Sequence, residues 1–430
     1  MRLVIIGLGT SGFAAMLAAK KTNPSIEITV IDPKDFDLLH LCGIPYAIGG
    51  ELELDSLKHS LGLEEMGVKQ IKGKAVKVDA RAKLVEVDNG EKVEYDKLLI
   101  APGSTAFIPP VEGKELVYTI APLENTIKFK EAAEKAKYIA VIGAGAAGLE
   151  TAVELAKKGK DVSVIEMAPR LLPNMTDTDM SDLLKKKLEE KGIHFYIPRG
   201  VERIAKRYVL AEGGKSVKAD VVLMAAGARP VINFLDKSGI LHDKSIIVNN
   251  RMQTNFEDVY AAGEAAQVKC LINNKPSPSA GAVPAYRQGI IAGINAAGGN
   301  AKYKGIIYTF ATVLDDIEFA SVGFNESLAK ANNIEVVFGR VKGTDIASWF
   351  PNAKDLIVKV LADKSTGRVI GAQALGNNAA KRIEVVAAAI LAGMALEEMQ
   401  DLELAYCPPV SDTYDVLLAA VEQALRKLKR

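Results

Sequence analysis

One unit recurs far apart in this chain and limits what it can fold into: an apolar strand, a glycine turn, a small-residue helix, a second strand and an acid. The first copy is LVIIGLGTSG over Leu3 to Gly12, followed by FAAMLAAKK and by IEITVID, which ends at Asp32. The second is IAVIGAGAAG over Ile139 to Gly148, followed by LETAVELAKKG and by DVSVIE, which ends at Glu166. Each turn has three glycines with separate tasks: Gly7 and Gly143 for the tight turn, Gly9 and Gly145 for the approach of a pyrophosphate, Gly12 and Gly148 for close helix–strand packing. The helix that follows offers N–H groups and a positive dipole end to phosphates. Asp32 follows Gly12 by 20 residues and Glu166 follows Gly148 by 18, the distance at which a returning strand brings a carboxylate to a ribose hydroxyl. A single glycine turn is a weak signal; here every part agrees twice, so two dinucleotide sites are expected.

At 430 residues the chain is too long for one core, and two or three domains are expected. A net charge of +1 leaves neither a basic stripe for nucleic acid nor an acidic tail. The N-terminus enters an apolar strand at once, without the pattern of a signal peptide, and no apolar run approaches a membrane span. Cys42, Cys270 and Cys407 are few, odd in number and not spaced as zinc ligands. A reducing, cytoplasmic setting is expected, with no metal, no nucleic acid and no membrane as partner.

Three more apolar strands end in small-residue turns: YDKLLIAPGS with Ala101 and Gly103, LMAAGARP with Gly227, and VYAAGE with Gly263 and Glu264. With both glycine units, in this order, the chain resembles the pyridine nucleotide-disulfide oxidoreductases over its full length. The resemblance implies an α/β fold with two Rossmann-like dinucleotide-binding domains and a C-terminal α+β dimerisation domain. Residues 1–114 and 246–304 would form a discontinuous FAD-binding domain, 115–245 an NAD(P)H-binding domain and 305–430 the dimerisation domain. FAD falls to Gly7, Gly9, Thr10, Ser11, Gly12, Asp32, Pro33, Ala101, Gly103, Gly263, Glu264 and Pro284. The nicotinamide dinucleotide falls to Gly143, Gly145, Ala146, Gly148, Glu150, Glu166 and Gly227. Glu264 departs from the family's usual Asp and is one methylene longer. Glu166 would repel a 2′-phosphate, which favours NADH; Arg170, four residues on, is the feature that would instead admit NADPH.

Cys42 lies in LLHLCGIPYAIGG. A short helix starting near Gly43 or Ile44 would place its sulfur at a helix N-terminus, which favours the thiolate. A buried, inert cysteine is the competing reading. The two-cysteine members of the family carry CxxxxC here, but position 47 is Ala. One cysteine followed by Gly-x-Pro-Tyr and Gly-Gly is similar to the branch of coenzyme A-disulfide reductases, coenzyme A-persulfide reductases and NADH oxidases. A lone thiol must cycle through a mixed disulfide, a persulfide or a sulfenic acid. The leading reading is reduction of coenzyme A disulfide, coenzyme A persulfide or polysulfide; the alternative is an NADH oxidase using oxygen or peroxide. His40, two residues before Cys42, is read as a packing or solvent-facing residue.

After residue 305 the segments IIYTFATVL, FASVGF, IEVVFGRV, LIVKVLAD and RVIGAQALG read as strands, and 380–394 and 412–427 as helices. A mixed sheet with helices on one side is expected. The resemblance implies a homodimer whose active site is shared across the interface, with Tyr406 of AYCPP approaching the partner's redox cysteine. Trp349 and Phe350 stand where coenzyme A-using members carry Tyr-Tyr, and would line a channel for a pantetheine arm. Lys20, beside Lys21, matches a helix position near the coenzyme's phosphates, although solvated lysines are the commoner outcome. None of the four histidines lies beyond His242, so this chain lacks the C-terminal histidine of the two-cysteine enzymes.

Overall fold

The computed structural model describes the whole chain, Met1–Arg430, as two compact units. The first comprises Met1–Ile44, Leu52–Thr105 and Ala228–Ile306. Its centre is a five-stranded sheet in the order Val259–Ala261, Lys97–Ile100, Arg2–Ile6, Glu27–Asp32, Val68–Lys72, parallel throughout. Leu3, Val4, Ile5, Leu98, Leu99, Ile100 and Val30 are buried, as expected of strands covered on both faces. The helix Thr10–Thr22 packs on the helix Ala282–Ala296. Small residues make that approach: a Cβ on Gly289 would sit 2.2 Å from the Ser11 carbonyl oxygen, and one on Gly293 2.2 Å from that of Ala15. This is the reason for the run FAAMLAAKK, in which Ala14, Ala15, Met16 and Ala19 are buried.

The second unit comprises Pro45–Glu51, Ala106–Gly227 and Ile307–Arg430. It repeats the parallel arrangement with strands Ile193–Tyr196, Asp161–Ile165, Tyr138–Ile142 and Val221–Met224 in that order, and the helix Ala146–Lys157 follows the central strand. It also holds a five-stranded sheet in the order Phe310–Leu314, Ile317–Gly323, Val369–Gly376, Asp355–Asp363, Val336–Thr344.

That last sheet is antiparallel at every pairing, which corrects the expected mixed sheet. The connections explain it. Asp315 and Asp316 alone join the first two strands, and a short turn joins Asp355–Asp363 to Val369–Gly376. Links this short close hairpins, whereas a parallel pair needs a crossover of a dozen or more residues. The helices Ala379–Ala392 and Val416–Leu428 pack on this sheet. Gly339 admits the second of them, since a Cβ there would meet the Ala420 carbonyl oxygen at 1.9 Å.

The helix expected from residue 412 begins instead at Val416, because Asp415 caps it, its carboxylate accepting from Leu417 N at 2.9 Å. The same carboxylate holds the guanidinium of Arg382 at 2.8 Å, and Arg382 donates to the Asp345 carbonyl at 2.7 Å. Arg382 and Asp415 are both buried. Two short helices escaped the sequence reading, Glu326–Ala331 and Leu396–Gln400, the first capped by Asn325. No helix is long and apolar enough to cross a membrane. Asp415→Ala should destabilise the C-terminal region by about 3–5 kcal/mol, because it removes a helix cap and leaves Arg382 buried without its counter-charge. Urea unfolding followed by far-UV dichroism checks this.

Candidate active site

The two glycine turns have the same geometry. Gly7 has φ +91° and Gly143 φ +110°, conformations that favour glycine. A Cβ on Gly7 would lie 2.3 Å from the Ala101 carbonyl oxygen, and one on Gly143 2.4 Å from that of Ala225. Gly12 and Gly148 are equally constrained, each by the carbonyl of its own turn's first glycine, at 2.0 Å and 2.3 Å. These four glycines are explained by the fold alone.

Gly9 and Gly145 are not. Their φ values, −92° and −76°, suit any residue, and a Cβ on either would meet nothing within 4 Å. Both are N-caps, and having no side chain neither can satisfy the first N–H groups of its helix. An unhindered, unstrained glycine at a helix start is what close approach of a phosphate requires. The chain therefore fits a dinucleotide at both turns, with Thr10, Ser11 and Gly12 at one and Ala146 and Gly148 at the other.

The acids hold these turns. Asp32, buried, accepts from Leu8 N at 2.6 Å, and Glu166 accepts from Ala144 N at 2.7 Å. The second oxygen of each accepts a local amide, Lys34 N at 3.0 Å and Ala168 N at 2.7 Å. Lys34, which the sequence reading missed, pairs with Asp32 at 2.8 Å and donates to the Leu8 carbonyl at 3.1 Å. Its only sequence signal was its place two residues past the acid. Arg170 is engaged elsewhere, with the Pro173 carbonyl at 3.1 Å and the Ser327 hydroxyl at 2.8 Å.

Other expected residues surround the first turn. Gly263 has φ +78°, and its N–H donates to buried Gln288 at 2.9 Å. The Ser104 hydroxyl donates to the Glu264 carboxylate, placing the Gly103 turn beside Gly263-Glu264. Gln288 and Ser104 were not foreseen. Pro284 is in the first turn of the helix Ala282–Ala296, where its missing N–H is no loss, and Pro33 is exposed just past Asp32. In the second unit Glu150 accepts from the Thr312 hydroxyl at 2.7 Å, and burial pushes its carboxyl pKa up. Gly227 is exposed at φ +105° after the strand Val221–Met224.

Cys42 is exposed, in a 3₁₀ turn over Leu41–Gly43 that precedes the short helix Ile44–Gly49. The helix starts at Ile44, one of the two starts expected, and Cys42 stands two residues ahead of it. Leu57 anchors the turn from both sides. Its carbonyl accepts His40 N at 3.0 Å, and its side chain leaves no space for a Cβ on Gly43. Lys20 reaches the Gly67 carbonyl at 3.5 Å, so the fold itself already engages it.

Tyr406 and Trp349 are 48% and 70% exposed. Their segments lie side by side: Ala347 N donates to the Pro408 carbonyl at 3.1 Å, and Trp349 stacks edge-on with Phe350 at 6.1 Å. Cys407 is exposed beside Tyr406.

Two open glycine turns in two parallel sheets, with an exposed cysteine in a turn of the first unit, define a dinucleotide-using oxidoreductase. Residues 1–289 match the pyridine nucleotide-disulphide oxidoreductases and residues 309–417 their dimerisation domain. The chain belongs to this family and is a flavin-dependent NAD(P)H oxidoreductase. It is 34% identical to the NADH oxidase of Methanocaldococcus jannaschii, across 100% of this chain and 99% of that protein. It is 29% identical to the NAD(P)H coenzyme A polysulfide/persulfide reductase of Pyrococcus horikoshii, across 97% of each. The structure of an NAD-dependent persulfide reductase from A. fulgidus superposes with a TM-score of 0.96 at 32% identity, covering 100% of this chain and 84% of that one.

Gly145→Val should retain FAD and lose no more than about 1 kcal/mol of stability, the cost of a poorer N-cap. Flavin bleaching by NADH should slow by about 100-fold, because a side chain fills the space kept for the pyrophosphate. Stopped-flow absorbance and a thermal melt measure the two effects separately.

Proposed function

We propose that this enzyme reduces the sulfur–sulfur bond of coenzyme A disulfide, coenzyme A persulfide or a polysulfide with NADH, through Cys42. The observation that carries the reading is that Cys42 is exposed, with Ala at position 47 and so no CxxxxC pair, in a turn anchored on both sides by Leu57, in a chain with two open dinucleotide turns. Residues 1–114 and 246–304 are assigned to FAD, 115–245 to NADH, and 305–430 to dimerisation.

FAD held at Gly7, Gly9, Thr10, Ser11, Gly12 and Asp32 supplies two-electron transfer between nicotinamide and sulfur. Gly145, Ala146 and the helix start behind them bind the NADH pyrophosphate. Cys42 thiolate attacks the outer sulfur of the substrate, forming a mixed disulfide or persulfide and expelling a thiolate. In a homodimer, Tyr406 of the partner subunit donates a hydrogen bond to that thiolate. The exposed Trp349 and the half-buried Phe350 beside it give an apolar path for a pantetheine arm. Lys20, half-buried against Gly67, is at most a weak phosphate contact.

The identity to the M. jannaschii protein favours a second reading, an NADH oxidase in which Cys42 cycles through sulfenic acid. The acceptor separates the two. Cys42→Ser should leave flavin bleaching by NADH intact and remove turnover with coenzyme A disulfide or persulfide, because a Ser hydroxyl forms no disulfide. Substantial turnover in that variant refutes the assignment of Cys42, and wild-type consumption of oxygen in preference to every sulfur acceptor establishes the oxidase.

NADH should exceed NADPH in kcat/KM by about 10-fold or more, because Glu166, assigned to the adenosine ribose, would repel a 2′-phosphate, and Arg170 is held at Pro173 and Ser327. Steady-state rates with both nucleotides decide it.

A further inference from the structure

Opening a sulfur–sulfur bond releases a thiolate that must take up a proton. The chain beyond His242 has no histidine to give one. Of the four histidines, His194 lies 3.6 Å from Asp161, and His242 bonds the Ile240 carbonyl at 2.8 Å. The other two meet beside Cys42. The short strands Leu38–Leu39 and Lys58–His59 pair antiparallel, Leu38 opposite His59, which brings His59 under the end of the hairpin. His40 N bonds the Leu57 carbonyl at 3.0 Å, and the rings of His40 and His59 then pack edge to face with centroids 4.6 Å apart. The His40 carbonyl accepts Gly43 N at 3.0 Å, closing the turn that contains Cys42. His40, Cys42 and His59 are all exposed, so a substrate can reach all three.

We propose that this imidazole pair supplies the proton for the expelled thiolate, with His40 as the donor and His59 as the positioning residue that orients its ring. The proposal rests on Cys42 being the redox cysteine. Imidazole is the side chain that gives and regains a proton near neutral pH, and an edge-to-face contact fixes a ring without covering its nitrogens. Cys42 S⁻ attacks R–S–S–R′, the substrate S–S bond breaks and a Cys42–S–S–R bond forms. R′S⁻ leaves and takes the proton of the His40 imidazolium as R′SH. Two electrons from NADH then reduce Cys42–S–S–R to Cys42 S⁻ and RS⁻. Solvent protonates RS⁻ and restores His40. The sum is R–S–S–R′ + NADH + H⁺ → RSH + R′SH + NAD⁺. Before substrate arrives, the same imidazolium stabilises the Cys42 thiolate. The reading of His40 as a packing residue, natural from sequence, omits His59, which the hairpin supplies from 19 residues further along.

The test uses His40→Phe, which keeps a ring against His59 but has no proton to give, His59→Ala, and Cys42→Ser as reference, all in the full chain with FAD bound. In His40→Phe, thiol release from coenzyme A disulfide should fall by about 100-fold, while flavin bleaching by NADH keeps its rate. Imidazole added to the buffer should restore part of the lost rate. Carboxamidomethylation of Cys42 by iodoacetamide, followed by peptide mass, should slow in the same variant. His59→Ala should show a smaller loss in kcat with KM little changed. Wild-type thiol release and alkylation in His40→Phe would overturn the proposal. A slow variant that imidazole does not rescue, alkylated at the normal rate, would assign His40 a packing role and overturn it too. An active Cys42→Ser would instead overturn the reading of the site itself.

Discussion

A carboxylate on a backbone amide organises both halves of this molecule. Asp32 takes the N–H of Leu8 and Glu166 that of Ala144, in each case the residue after the turn's first glycine. That bond links the end of the second strand to the turn leaving the first. The contacts of Gly7 with Ala101 and of Gly143 with Ala225 then fix the turn against a third strand. With strand, turn and helix start locked together, the helix N–H groups are aimed before any nucleotide arrives, and little ordering entropy is lost on binding.

The regions that carry sulfur chemistry are held by other means. The Cys42 turn depends on Leu57, through one hydrogen bond and one van der Waals contact, and on a two-residue strand pair. Such a small anchor leaves the thiol accessible. The exposed aromatic segments of the C-terminal region are tied instead to a buried core. Arg382 spans Asp415 and the Asp345 carbonyl, and Asp345 starts the loop that carries Trp349. Charge is buried there to hold two irregular segments that no regular ladder joins. Removing either partner therefore costs more than the pair contributes.

The glycine units were legible because each combines period, turn chemistry and spacing, all local properties of the chain. Cys42 was singled out by the resemblance to the single-cysteine branch, since its Gly-rich setting alone also suits a buried, inert cysteine; that its thiol is exposed is known only from the fold. Four things were not legible. The antiparallel C-terminal sheet follows from strand partners that sequence order does not specify, since Ile317–Gly323 pairs with Val369–Gly376 across two intervening strands. Lys34 and Gln288 are ordinary residues whose roles exist only once Asp32 and Gly263 are in place. The His40–His59 contact depends on register in a strand pair too short to show a pattern. Arg170 looked like a phosphate ligand by spacing, yet its guanidinium turns to Pro173 and Ser327.

The account stands on Cys42 as the place where electrons meet sulfur. The most direct measurement is peptide mass spectrometry of the wild-type enzyme after mixing with coenzyme A disulfide in the absence of NADH, repeated after NADH is added. The account predicts a coenzyme A adduct on the peptide containing Cys42, and its loss when NADH is supplied. An adduct confined to Cys407, no adduct at all, or one at Cys42 that NADH does not remove would contradict it.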